Sequence, residues 1–120
     1  MKILIADDEL RLRKVVALYM RRCGHEVIEA ENGQQAFDMA KEQTPDVLVL
    51  DVMMPKMTGL EATKMCRQDA QLKDTPVILL TANAGEKDHR LGQEAGANRY
   101  ITKPFSPKEL MEAITDIVKQ

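Results

Sequence analysis

Five residues of this 120-residue chain could do chemistry together: the carboxylates of Asp7, Asp8 and Asp51, the hydroxyl of Thr81 and the ammonium of Lys103. Each follows a short run rich in apolar β-formers. Three carboxylates in close company repel, and at least one pKa rises unless a cation intervenes. An oxygen-only cluster suits Mg²⁺, which takes a few carboxylates and keeps several waters. No thiolate or imidazole cluster is present to favour zinc. Mg²⁺ beside a lysine and a threonine makes a phosphoryl-transfer environment, with metal and Lys103 neutralising the oxygens of the transferring group. Thr81 can donate a hydrogen bond to one of those oxygens. Asp51 can be the nucleophile, since carboxylates form acyl phosphates. The chemistry reads as phosphorylation of the protein itself.

These groups meet only if the runs that carry them are strands of one parallel sheet. Val47-Leu48-Val49-Leu50 has no polar alternation, the pattern of a strand buried on both faces. Asp51 then stands at its carboxyl end, on the rim where open α/β sheets bind ligands. Lys2–Ala6, Glu26–Ala30, Val77–Leu80 and Arg99–Thr102 read as four further strands. Leu12, Val15, Val16, Tyr19 and Met20 form one apolar face of a first helix, ended by Gly24. Asn32 caps a second helix, with Gln35 three residues on and Ala36, Phe37 and Ala40 inside. Thr44-Pro45 breaks it. Thr58-Gly59-Leu60-Glu61 is a capping box for a third helix, and Asn83 to Glu86 opens a fourth that runs to Gly96. Ser106-Pro107-Lys108-Glu109 is the clearest cap in the chain. It opens a fifth helix lined by Leu110, Met111, Ile114, Ile117 and Val118. Five alternations of strand and helix imply βαβ units, a parallel sheet and right-handed crossovers. The fold class is α/β, a single doubly wound domain over residues 1–120.

Ile5-Ala6-Asp7-Asp8-Glu9, Leu50-Asp51-Val52-Met53-Met54-Pro55, Leu80-Thr81-Ala82 and Lys103-Pro104-Phe105 resemble the four signatures of response-regulator receiver domains, in the right order and over the whole chain. The resemblance implies a five-stranded, flavodoxin-like sheet in the order 2-1-3-4-5 with five helices. It implies that Asp51 accepts a phosphoryl group from the phosphohistidine of a histidine kinase, or from a small phosphodonor. Asp7 and Asp8 would hold Mg²⁺ with Asp51 and the backbone carbonyl of Met53. Lys103 would pair with Asp51 and then with the phosphate, and its bond to Pro104 would be cis. Thr81 would move toward the phosphate and Tyr100 would swing inward. The surface around the fourth helix, fifth strand and fifth helix would then switch for an output partner that the sequence does not identify. A histidine kinase or histidine phosphotransfer domain would dock near the first helix. Arg11, Arg13, Lys14, Arg21 and Arg22 otherwise read there as a solvated polar face.

Some positions are individual. Met53 and Asn83 lie two beyond Asp51 and two beyond Thr81, where the family sets how quickly water removes the phosphate. Met53 cannot position an attacking water and Asn83 can, so an intermediate phosphoryl lifetime is expected. Between Ala84 and Ala95 only Leu91 is large and apolar, and Gly85 and Gly92 weaken the helix further. A helix with so little to bury belongs at the low-stability end of a fold. Gly59, Gly92 and Gly96 read as backbone devices and His25 and His89 as surface residues. The small Ala82 opens access to the pocket or simply packs.

Composition sets the remaining bounds. Seventeen basic against nineteen acidic residues leave a formal charge of -2. Nothing here announces direct nucleic-acid binding or an anionic membrane. No apolar run approaches the roughly 20 residues that span a bilayer, and no signal peptide is visible. Cys23 and Cys66 are isolated and read as buried thiols of a cytoplasmic protein rather than as a bridge. A Mg²⁺-dependent phosphatase with an aspartyl nucleophile is the main rival, though such hydrolases carry DxD after their first strand. A flavodoxin-type carrier would need a Ser/Thr/Gly-rich loop where Asp7-Asp8-Glu9 stands. The chain reads either as a single-domain regulator of the chemotaxis type or as the receiver of a longer protein. Asn98-Arg99 replaces the acidic pair that supports charge-paired dimers, leaving a monomer or a phosphorylation-dependent dimer.

Overall fold

A computed structural model describes residues 1–82 and 85–119 of the chain, apart from the side chains of residues 86–88. The elements alternate as β1 (Lys2–Ala6), α1 (Leu10–Arg22), β2 (Glu26–Ala30), α2 (Gly33–Gln43), β3 (Val47–Asp51), α3 (Gly59–Gln68), β4 (Val77–Thr81), α4 (Glu86–Ala95), β5 (Arg99–Thr102) and α5 (Pro107–Val118). The strands form one parallel sheet, as expected of the doubly wound class, in the order β2-β1-β3-β4-β5 that the resemblance implies.

Because both faces of the sheet are covered, each strand must be apolar on both sides. Ile3, Ile5, Val47, Val49, Ile78 and Leu80 point to one layer with Val16, Met20, Leu110 and Ile114 of α1 and α5. Leu4, Leu48, Leu50 and Leu79 point the other way, onto Ala36, Ala40, Ala62 and Cys66 of α2 and α3. The helix starts follow local chemistry. Asn32 Oδ1 accepts from the Gln35 amide and Ser106 Oγ from the Glu109 amide. The complete reciprocal box belongs to α3, where Thr58 and Glu61 satisfy each other's amides. Both caps form where the sequence places them, and the one at Thr58 adds the reciprocal bond.

Several surface expectations are corrected. Val15 is 56% exposed, while Arg13 is 5% exposed and points inward. Adjacent helix residues lie 100° apart, and the inward arc of α1 runs through 13, 16, 17 and 20. Arg13 can occupy it because its charge finds partners there. Cys66 is buried but Cys23 caps α1 in solvent, and both thiols are free. His25 and His89 are half-buried rather than fully on the surface. α4 starts at Glu86 behind Gly85, which supplies no side-chain cap. The expected start at Asn83 lies outside the described residues. No described helix is long and apolar enough to cross a membrane.

Candidate functional site

The sheet register sets the site. Ala6 pairs with Leu50, Asp51 with Leu80 and Thr81 with Thr102. Asp7, Asp51, Thr81 and Lys103 therefore leave neighbouring strands within one residue of a common rim. Asp51 is 5% exposed, Asp7 is fully buried, and Thr81 is also buried. The expected convergence of β1, β3, β4 and β5 on one end of the sheet is what the structure shows.

Lys103 binds the rim together. Its Nζ donates to Asp51 Oδ2 at 2.9 Å and lies 3.3 Å from Asp7 Oδ2. It also reaches Glu9 Oε2 at 3.5 Å, a partner that the sequence signatures do not single out. The Lys103 amide donates to the Thr81 carbonyl at 2.8 Å, which fastens the lysine to the end of β4. Its peptide bond to Pro104 is cis, as the resemblance implies. Burial alone would lower the ammonium's pKa. The hydrogen bond and charge of Asp51, with those of Asp7, outweigh it and hold the pKa above the ordinary lysine value.

The carboxylates are arranged for a cation. Asp7 Oδ1 accepts from the Glu9 amide at 2.9 Å, but its buried Oδ2 receives no well-aligned hydrogen bond and only the ion pair with Lys103. Burial raises the Asp7 pKa, and the nearby Asp51 adds to this against the Glu9 amide. Asp7, Asp8 and Asp51 each offer an oxygen within 4.8 Å of the others. One ammonium cannot offset three such groups, and an all-oxygen set of this size fits a hard divalent ion. Asp51 Oδ1 accepts from the Met53 amide at 3.2 Å, and Met53 is 71% exposed.

The loop carrying Met53 is held at both ends. Val52 donates to the Leu80 carbonyl and Gly59 to the Val52 carbonyl. Gly33, at the start of α2, donates to the Met57 carbonyl. A Cβ on Gly59 would collide with the Asp51 backbone, and one on Gly33 with the Met57 backbone. Gly59 is thus more than a permissive residue, since it admits α3 against the end of β3.

Tyr100 packs on α4. Its hydroxyl donates to the His89 carbonyl, and its ring lies 4.5 Å from the His89 ring at 32°. A Cβ on Gly92 would enter the tyrosine ring. Gly92 is therefore the clearance for Tyr100 rather than only a flexible point, and His89 is its stacking partner. Neither role is visible without the register between α4 and β5. Asn83, expected to act beside the site, lies outside the described residues, while Ala82 is exposed at the rim.

Comparison with known proteins agrees with this geometry. The family model described as response regulator receiver domain matches residues 3–115. The phosphate regulon transcriptional regulatory protein PhoB of Pseudomonas aeruginosa is 41% identical over 98% of this chain and 52% of its own length. The transcriptional regulatory protein ResD of Bacillus subtilis is 40% identical over 99% of this chain and 48% of its own. The chain thus spans about half the length of these curated relatives. Among solved structures, the Vibrio cholerae chemotaxis protein CheY4 superposes with a TM-score of 0.92 at 34% identity, covering 97% of each chain. The receiver domain of the sensor histidine kinase PA1611 of Pseudomonas aeruginosa superposes with a TM-score of 0.91 at 30% identity, covering 99% of this chain and 98% of its own. That domain was solved with a magnesium ion coordinated in its active site cleft.

Proposed function

This chain belongs to the response regulator receiver domain family, and on that premise we propose that residues 1–120 work as one phosphoacceptor switch centred on Asp51. The observation that carries the reading is the 2.9 Å pairing of Asp51 Oδ2 with Lys103 Nζ, beside two further carboxylates within cation reach. An Asp51 oxygen attacks the phosphorus of a phosphohistidine on a histidine kinase or histidine phosphotransfer domain. The new P–O bond forms as the P–N bond breaks, and the bonding pair returns to the imidazole nitrogen. Asp7, Asp8 and Asp51, with the Met53 carbonyl, would hold Mg²⁺, which would supply neutralising charge for the transferring group. Lys103 orients Asp51 beforehand and pairs with a phosphoryl oxygen afterwards. The Thr81 hydroxyl donates to another. Tyr100 passes the change to the surface of α4, β5 and α5, where an output partner reads it.

In this reading the protein acts in the cytoplasm and turns over no external metabolite. Its catalysis is limited to its own phosphorylation and dephosphorylation. The phosphatase alternative is not favoured, because the nucleophile candidate ends β3 and adjacent Asp7-Asp8 follow β1. Incubation with acetyl phosphate and Mg²⁺ should add about 80 Da, one HPO₃, at Asp51. Asp51→Asn should show no such gain. Turnover of varied small phosphoesters without a stable adduct would point to the phosphatase instead.

A further inference from the structure

We propose that Arg13 is a positioning residue for the cation site, acting through the peptide bond that joins Asp7 to Asp8. This rests on the function proposed above. A buried arginine must be matched, because an unpaired charge inside a fold is costly. Arg11 and Lys14, its charged neighbours on α1, are exposed, whereas Arg13 is turned in. Its Nη1 donates to the Asp7 backbone carbonyl at 2.8 Å and its Nε to Glu29 Oε1 at 3.1 Å. The two bonds leave different edges of one rigid fork, so Glu29 on β2 sets the angle at which the other edge meets Asp7.

The carbonyl of Asp7 belongs to the same planar unit as the amide of Asp8. Fixing it fixes the direction in which the chain leaves β1, and with it the separation of the two carboxylates. The other holds on Asp7 act elsewhere. Its amide donates to Ala30 at 3.2 Å, and its Oδ1 accepts from Glu9 at 2.9 Å. Among the described residues only Arg13 grips the linking peptide. Asp8 is exposed, so its alignment with the buried Asp7 and Asp51 depends on that peptide.

Calorimetric titration with Mg²⁺ tests the role without relying on phosphorylation. Arg13→Met should raise the Mg²⁺ dissociation constant about tenfold, the lower range for loss of an outer-shell partner. Its phosphorylation rate with acetyl phosphate should return to within about twofold of wild type at saturating Mg²⁺, the pattern of weakened binding rather than lost chemistry. Arg67→Met provides the comparison, since Arg67 bonds the carbonyls of Gly96 and Thr75 at the opposite end of the sheet. It should lose stability yet keep its Mg²⁺ affinity. Should Arg13→Met fail to fold, Arg13→Lys preserves the charge but cannot serve both partners, and its affinity should still fall severalfold. Wild-type affinity in a folded Arg13 variant overturns the role, as does an equal loss in Arg67→Met. Absence of Mg²⁺ binding by the wild type overturns the underlying reading as well.

Discussion

Lys103 is one ammonium among three carboxylates, those of Asp7, Glu9 and Asp51. That imbalance leaves the rim unstable on its own. Asp7 suffers most, being wholly buried with its ionised form disfavoured. Asp7→Asn should therefore stabilise the metal-free protein against urea by about 1 kcal/mol, as relieving a strained functional site often does. Added Mg²⁺ should raise the stability of the wild type and leave the variant nearly unmoved. A lower urea midpoint for Asp7→Asn without metal would refute this account. Asp7, Asp51 and Lys103 were legible because each stands at the end of a strand-like run. The service of Glu9 and Arg13 was not, since a periodic pattern sorts residues by polarity and cannot show which carbonyl a buried guanidinium meets.

At the scale of elements, α1 and β2 are fastened by Glu29, whose carboxylate receives Arg13, Lys14 and Arg21. Burial raises the Glu29 pKa, but the three donors outweigh it and hold the carboxyl below the ordinary value near 4.5. A lowered folded pKa means stabilisation that is complete above the unfolded value and lost as pH falls through the folded one. Glu29→Gln should cost about 1–2 kcal/mol near neutral pH. The gap from wild type should close on acidification, which chemical denaturation at several pH values will show. A gap independent of pH would mean that charge is not what fastens the two elements. The contact between α4 and β5 rests on shape instead. Replacing glycine by alanine inside a helix normally gains about 1 kcal/mol. In Gly92→Ala the new methyl meets the Tyr100 ring, so stability should not rise and the tyrosine near-ultraviolet dichroism should change. A gain in stability with an unaltered tyrosine signal would show that the ring does not depend on this clearance.

For the molecule as a whole, Cys66 reports on global opening. It is buried in the layer beneath α2 and α3, and burial pushes its thiol up to about 11. At about pH 8 a thiol reagent should modify Cys23 at once and Cys66 only as fast as the domain unfolds. Rapid modification of both would mean that the α3 layer opens locally. The doubly wound class and the shared rim of strand ends followed from strands buried on both faces, and the strand order from the family resemblance. What remained illegible depended on register between elements remote in sequence, as with Tyr100 against Gly92 and His89. Arg67 is of that kind. Its guanidinium clasps Gly96 and Asn98 just beyond α4, and Thr75 before β4. The other end of α4, at Gly85, has no side-chain cap. Held at one end and uncapped at the other, such a helix would tilt about Gly96. Ten residues give an arm of about 15 Å, so a tilt of about 10° carries the far end roughly 3 Å while Gly96 stays still. A small rearrangement at Tyr100 would in this way be magnified at the end of α4 closest in sequence to Thr81.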